Sequence, residues 1–292
     1  MDMKWWLLSL WLAWFPGTPV PRILQVVPSA APVVEPALGA PPVALPYKWA
    51  SVTTNYYHAS ATQAVNIEIT ASRINGTLLR PGQIFNYYRV VGPYTAANGY
   101  GWGRAFLGDR IVPSVGGGVC QGASTLYAAV LRTGLRVLER HQHGLQVPYL
   151  PPGEDATVSG SSLNFRFQNN TAHPVLIQAS ASDRHYHVTI WGDVPGPNIE
   201  VRHEVLARYD FRTIRRTDPK LKPGQQEILF PGQPGVRART WLEIHRGSTV
   251  VRRDLGIDMY RPSPRIVLVG PGTAAPTVSI RTGAPFPGGC SP

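Results

Sequence analysis

Cysteine is scarce in this chain: Cys120 and Cys290 are the two among 292 residues. That excludes a disulfide-stapled scaffold and allows one bridge at most. The bridge is not expected. It would block the thiol of Cys120, and Cys290 sits in the Pro/Gly-rich tail Gly288-Gly289-Cys290-Ser291-Pro292. Acidic residues are also few, with 17 Asp and Glu against 28 Lys and Arg, for a formal charge of +11. Such an excess points to anionic partners, although part of it serves simply to keep the surface solvated. No helix-turn-helix, zinc-finger or RNA-binding motif is present, so nucleic acid is set aside in favour of an anionic cell wall or membrane surface. Long hydrophobic runs are lacking too. The apolar stretch at 5–15 is too short for an ordinary spanning helix and has the length of a signal h-region. Cleavage after the small residues Ser29-Ala30-Ala31 and retention as a membrane tether are both compatible with it. No lipobox cysteine follows, so a lipoprotein is not expected.

Proline and glycine are abundant, at 29 each. Residues 16–47 are rich in Pro, Ala and Val and nearly uncharged, and read as an extended spacer. The length suffices for two domains, each with its own core, placed at 48–195 and 198–272, with a flexible tail at 273–292. In the first domain, 63–74 reads as a helix closed by Asn75-Gly76. Residues 162–191 alternate apolar and polar, with turns at Asn169-Asn170-Thr171 and Ser182-Asp183, and predict an antiparallel meander. The fold class is therefore α+β, followed by an all-β module.

The chemistry concentrates around the run Gly116-Gly117-Gly118-Val119-Cys120-Gln121. A glycine turn delivers Cys120 to the start of a helix over 123–131, with Gly134 at its end. Free backbone N–H groups and the helix dipole favour thiolate over thiol there. Residues 135–144 read as a strand, in which His141 and His143 share a face. The turn Pro151-Pro152-Gly153-Glu154-Asp155 then leads into another strand. Cysteine, histidine and acid in this order are used by papain-like, transglutaminase-like and NlpC-type enzymes. Cys120 would attack, His143 or His141 would take its proton, and Asp155 would orient the imidazole. His143 is preferred as base because it lies nearer the Gly144 turn. The same side chains could instead form a Cys/His metal site.

Asn66 and the blocks Ile74-Asn75-Gly76-Thr77, Pro81-Gly82-Gln83-Ile84-Phe85-Asn86, Val91-Gly92-Pro93-Tyr94-Thr95, Gly116 to Gln121 and Glu139-Arg140-His141-Gln142-His143 occur in one order from about Thr53 to Trp191. In this the segment resembles a VanW domain, a family named after an accessory protein of vancomycin-resistance clusters. Asn86, Gln142 and Gly144 depart mildly from the usual residues. The resemblance implies a Cys-bearing helix against an antiparallel sheet. Some members of the family are associated with L,D-transpeptidase activity, in which a cysteine forms an acyl-enzyme with a peptidoglycan stem peptide. No cofactor is implied. Gly117, Gly118, Gln121, Ser124, Tyr100 and Arg140 are then the candidate substrate contacts, and backbone N–H groups from Gly118 to Gln121 the candidate oxyanion donors.

Residues 198–272 resemble a G-five domain on the patterns Pro219-Lys220-Leu221-Lys222-Pro223-Gly224 and Phe230-Pro231-Gly232-Gln233-Pro234-Gly235-Val236. The resemblance implies a thin sheet module that accompanies cell-wall enzymes and binds wall glycans. Trp241 and Tyr260 are expected either to stack on sugars or to pack the sheet. The module is expected to be dispensable for chemistry. The whole chain reads as an extracytoplasmic, wall-associated protein, either an acyltransferase acting on stem peptides or a non-catalytic binder of peptidoglycan or wall glycans.

Overall fold

Two helices packed on one face of an antiparallel sheet form the first domain. The computed structural model describes residues 45–107 and 110–272; the apolar run at 5–15, most of the spacer and the tail with Cys290 lie outside the described residues. Strand β1 (Tyr47–Asn55) leads into α1 (Ala61–Ile74). The Ser60 side chain caps α1 by accepting from the Gln63 N–H. Ala64, Ile67, Ala71 and Ile74 recur at three- and four-residue spacing and give the helix a buried face. Next come β2 (Thr77–Leu79), β3 (Ile84–Asn86), the short α2 (Tyr87–Val91) and a 3₁₀ turn at Ala96–Asn98. The ribbon of β4 (Trp102–Leu107) and β5 (Arg110–Val115) precedes α3 (Val119–Leu131). Every residue of α3 except Cys120 is buried. The domain closes with β6 (Arg136–Glu139), β7 (Arg166–Gln168), β8 (Val175–Ser182) and β9 (His185–Gly192).

The main sheet has the antiparallel order β1-β9-β8-β2, with α1 and α3 packed on it. The expected meander is thus divided. β8 and β9 form a hairpin, with Asp183 and Arg184 at φ 50° and 61° in its tight turn, whereas β7 joins a separate sheet in the order β3-β7-β6. The strand expected over 135–144 ends at Glu139. Its partner β7 begins at Arg166, and the preceding Phe165 gives its carbonyl to the Tyr87 N–H instead. His141 and His143 therefore lie on a loop, not on a shared strand face. Residues 156–158 form no strand either.

The C-terminal part contains β10 (Asn198–Tyr209), β11 (Thr213–Thr217), β12 (Gln226–Gln233), β13 (Gly235–Arg246), β14 (Thr249–Tyr260) and β15 (Ser263–Val269). They make two three-stranded sheets, β10-β13-β14 and β11-β15-β12. The two cores are unequal, and the first is shared. Leu242 of β13 belongs to the main hydrophobic cluster, and Ile199, Val201, Ile244 and Leu255 pack against it. The module's own cluster is Val236, Ala238 and Tyr260. A single-layer sheet has no second layer of its own, so it buries its apolar face against its neighbour.

The tightest point of the first core is Gly122, within α3. A Cβ there would lie 2.4 Å from Thr70 Oγ1, 2.6 Å from the Tyr87 hydroxyl and 2.9 Å from that of Tyr186. Thr70 donates to the Ile67 carbonyl and lies 3.0 Å from the Tyr186 hydroxyl, and Tyr87 donates to the Val119 carbonyl, so these oxygens are not free to retreat. Gly122→Ala is expected to destabilise the fold by about 1–3 kcal/mol through overpacking, read as a lower urea midpoint. An unchanged midpoint would mean that α3 can shift away from the sheet.

Candidate active site

The glycine turn is set by close backbone approach. Gly118 caps α3 at φ 108°, a left-handed conformation that favours glycine. A Cβ on Gly117 would lie 2.2 Å from the carbonyl carbon of Gly103, so β4 and the turn touch backbone to backbone. Asn66, fully buried on α1, clamps the turn from beneath. Its amide nitrogen donates to the carbonyls of Gly101 and Gly117, both at 2.9 Å, and its oxygen accepts from the Gly101 N–H at 2.8 Å. Cys120 is thereby held in the first turn of α3, at the positive end of the helix dipole. Its Sγ lies 3.4 Å from the Val158 carbonyl.

The loop after β6 brings His143 to this sulfur. The His143 ring is buried, and its Nδ1 lies 2.7 Å from Asp155 Oδ2, which also accepts the His143 backbone N–H at 2.8 Å. With Nδ1 occupied, Nε2 is the nitrogen left to face Cys120, its other hydrogen-bond partner. Burial opposes charge on His143, but the hydrogen bond to Asp155 and then the hydrogen bond and charge of Cys120 raise its pKa to about 9. Burial likewise opposes charge on Asp155. The hydrogen bond and charge of His143, followed by Arg140 and the Tyr260 hydroxyl, lower its pKa to about 2. The acid is therefore an anion and the imidazole a cation at neutral pH, with the Cys120 sulfur beside them. An open cleft of about 620 Å³ exposes this pair, lined among others by Tyr94, Arg104, Gln142 and Tyr149. That is the size of a small-molecule or peptide subsite.

Other candidate residues are placed differently. Gly117, Gly118 and Gln121 line the cleft. The Gln121 amide, however, is held by Thr54 Oγ1 at 3.0 Å and the Asn55 carbonyl at 2.8 Å. Ser124 is fully buried and bridges to the backbone of Ala156. Tyr100 is buried and donates to the Val91 carbonyl. Arg140 is committed to Asp155 and Asp258. His141 turns away and lies 3.1 Å from Glu139 Oε1. Of the expected oxyanion donors, the N–H groups of Val119 and Gln121 already bond the Gly116 and Gly118 carbonyls, which leaves those of Gly118 and Cys120 as candidates. Asp155 sits on the far side of the His143 ring and His141 on Glu139, so Cys120, His143 and Asp155 form a relay, and the four candidate ligands do not converge as a metal cage. Elsewhere Glu200, Glu243 and His245 gather closely, but Arg202 pairs with both carboxylates.

Two roles escaped the sequence reading. Asn66 is among the residues that carry the family resemblance, but nothing local marks it as a clamp. Tyr260 was expected either to stack on sugars or to pack the sheet. It is fully buried, and its hydroxyl lies 2.5 Å from Asp155 Oδ1 across 105 residues of sequence. Trp241 is half-buried under Arg252, whose guanidinium carbon is 4.1 Å from the ring centre. The C-terminal module therefore does not stand apart from the site.

The His143–Asp155 pair makes stability depend on pH. The contribution of His143 is complete below its unfolded pKa of about 6.5 and is lost as pH rises through about 9. That of Asp155 is complete above its unfolded value and lost as pH falls through about 2. Urea midpoints of the wild type are expected to fall between about pH 6.5 and 9, and His143→Gln to flatten that slope. A slope that survives in the variant would assign it to another group.

Comparisons with known proteins agree with this organisation. The model of the family described as VanW like protein matches residues 62–191, and that of the G5 domain matches residues 200–272. An uncharacterized protein of Bacillus subtilis (strain 168), YoaR, is 39% identical over 126 residues, which are 43% of this chain and 42% of YoaR. The vancomycin B-type resistance protein VanW of Enterococcus faecalis (strain ATCC 700802 / V583) is 23% identical over 173 residues, which are 55% of this chain and 63% of that protein. The chain thus spans less than two thirds of the length of either relative. Among solved structures, the IgA1 protease G5 domain is 25% identical over 25% of this chain and 90% of its own, with a TM-score of 0.18. The HP0197 G5 structure is 16% identical, covers 25% of this chain and 99% of its own, and has a TM-score of 0.15. Residues 62–191 therefore form a VanW-like domain, and residues 200–272 a G5 domain that follows it.

Proposed function

We propose that this chain is an exported, cell-wall-associated protein that performs cysteine acyl transfer on peptidoglycan stem peptides, in the manner of an L,D-transpeptidase. The observation that carries this reading is the relay of Cys120, His143 and Asp155 at an open cleft. A net charge of +11 suits an anionic wall, and the resemblance to a vancomycin-resistance protein and to G5 domains supports the same location. The apolar run at 5–15 would serve as export signal or tether, and the G5 domain as a contact to wall glycans.

The reaction would use these side chains and the backbone N–H groups of the helix start. The Cys120 thiolate attacks the carbonyl carbon of the donor stem, forming a C–S bond. Charge developing on the carbonyl oxygen is met by the Gly118 and Cys120 N–H groups. The C–N bond breaks, and His143 Nε2 gives its proton to the departing amine. The acceptor stem's amine then attacks the thioester and yields its proton to His143. A new C–N bond forms, and the thiolate leaves. Asp155 stays ionised throughout and holds the imidazole in place. Tyr94 lines the cleft with a buried hydroxyl that has no hydrogen-bond partner among the described residues, a further donor for the substrate.

Muropeptide analysis of a host producing wild type or Cys120→Ala tests the reading. Cross-links of the 3-3 type between two stems are expected with the wild type and absent with the variant. With purified protein, His143→Gln is expected to slow acyl-enzyme formation by roughly 100-fold or more, while His141→Gln leaves it unchanged. Identical muropeptides from wild type and Cys120→Ala, with binding to purified wall retained, would make this a binding protein.

A further inference from the structure

We infer that the G5 domain completes this catalytic centre, with Tyr260 at the end of β14 as a positioning residue that sets the Asp155 carboxylate against His143. The inference rests on the reading of Cys120, His143 and Asp155 as the reacting set.

A carboxylate orients an imidazole only if its own rotation is stopped. Asp155 Oδ2 receives the His143 backbone N–H and Nδ1. Oδ1 receives Arg140 Nη2 at 3.0 Å and the Tyr260 hydroxyl at 2.5 Å. The Tyr260 oxygen accepts the Gly153 N–H at 2.7 Å, which leaves its proton directed at Asp155. Arg140 is held in turn by Asp258 Oδ1 at 2.7 Å. Asp258 and Tyr260 are two apart on β14 and so share a face. The same strand end grips the histidine loop. The Gln142 amide bonds both the N–H and the carbonyl of Met259, and the Arg261 N–H donates to the Gly144 carbonyl. The acid and the base-bearing loop are thus both braced by one strand of the second domain. Packing of apolar faces alone would not require a strand to direct a hydroxyl and a carboxylate into the neighbouring domain.

The groups that act on Asp155 are His143, Arg140 and Tyr260 in contact, with Cys120, Tyr127, Tyr149 and Asp258 around them. Burial raises the hydroxyls of Tyr127, Tyr149 and Tyr260, so none of them ionises in the working range. Loss of the Tyr260 donor would make the Asp155 carboxylate easier to protonate. His143 would then lose its counter-charge, and Cys120 its activated partner, at a higher pH than in the wild type.

The test measures iodoacetamide alkylation of Cys120 in the full chain from about pH 4 to about 10. Wild type, Tyr260→Phe and His143→Gln are compared, with folding checked by thermal melting. Tyr260→Phe keeps the buried ring. It is expected to slow alkylation at neutral pH about tenfold, as the loss of one hydrogen bond to a charged group does, and to move the acidic limb of the profile to higher pH. Fluorotyrosine at position 260, a stronger donor, is expected to move that limb to lower pH, and it keeps the question answerable if the phenylalanine variant does not fold. Profiles of both position-260 variants that superimpose on the wild type, while His143→Gln remains slow, would overturn the positioning role and leave the Cys120–His143 reading intact. A His143→Gln profile identical to the wild type would sink that reading and this inference together.

Discussion

The carboxylate of Asp155 is the point on which the site depends. It is almost completely shielded from water, and a buried anion is costly unless each of its lone pairs meets a donor. Here the donors come from three places: the His143 loop, Arg140 beside it, and Tyr260 on β14. Removing any one leaves a charge in a low-dielectric interior short of a partner. That requirement couples the two domains in addition to their shared apolar contacts.

The thiol is placed by a separate constraint. The turn before α3 needs three consecutive glycines because β4 leaves no room for a Cβ at Gly117, and because Gly116 and Gly118 adopt left-handed φ. Asn66 locks that turn onto α1 through three hydrogen bonds. The rest of α3 is buried, so Cys120 is the one residue of the helix open to the cleft as a nucleophile. Nucleophile and base thus come from independently fixed elements, one from the helix start and the other from the loop braced by the second domain. Preorganisation of this kind lowers the reorganisation needed on reaction.

The division of labour between domains changes accordingly. A wall-binding module that only targets would be joined by a linker and carry its own core. Here the first G5 sheet shares the main core through Leu242, and its terminal strand reaches the acid. Trp241, half-covered by Arg252, and the exposed Val250, Val251 and Ile257 of β14 remain at or near the module's surface. Targeting and support are compatible roles for one sheet, because its two ends and two faces meet different surroundings.

Much of this was legible in the order of residues. The helix closed by Asn75-Gly76, the glycine turn into a helix bearing Cys120, the turn at Ser182-Asp183 between β8 and β9 and the family blocks are local patterns, readable because backbone preference and periodicity act over a few residues. Cys120, His143 and Asp155 could be named as a set from type and order. What the tertiary structure decided is which groups surround them. His141 and His143 look equivalent at two-residue spacing, yet the strand ends at Glu139 for want of a partner, and only His143 turns inward. Arg140, Ser124 and Tyr100 look available and are consumed internally. Tyr260 looks like a sheet aromatic and is a hydrogen-bond donor to a carboxylate 105 residues away. Side-chain hydrogen bonds depend on final three-dimensional proximity, and no local periodicity encodes a partner at that distance in the chain.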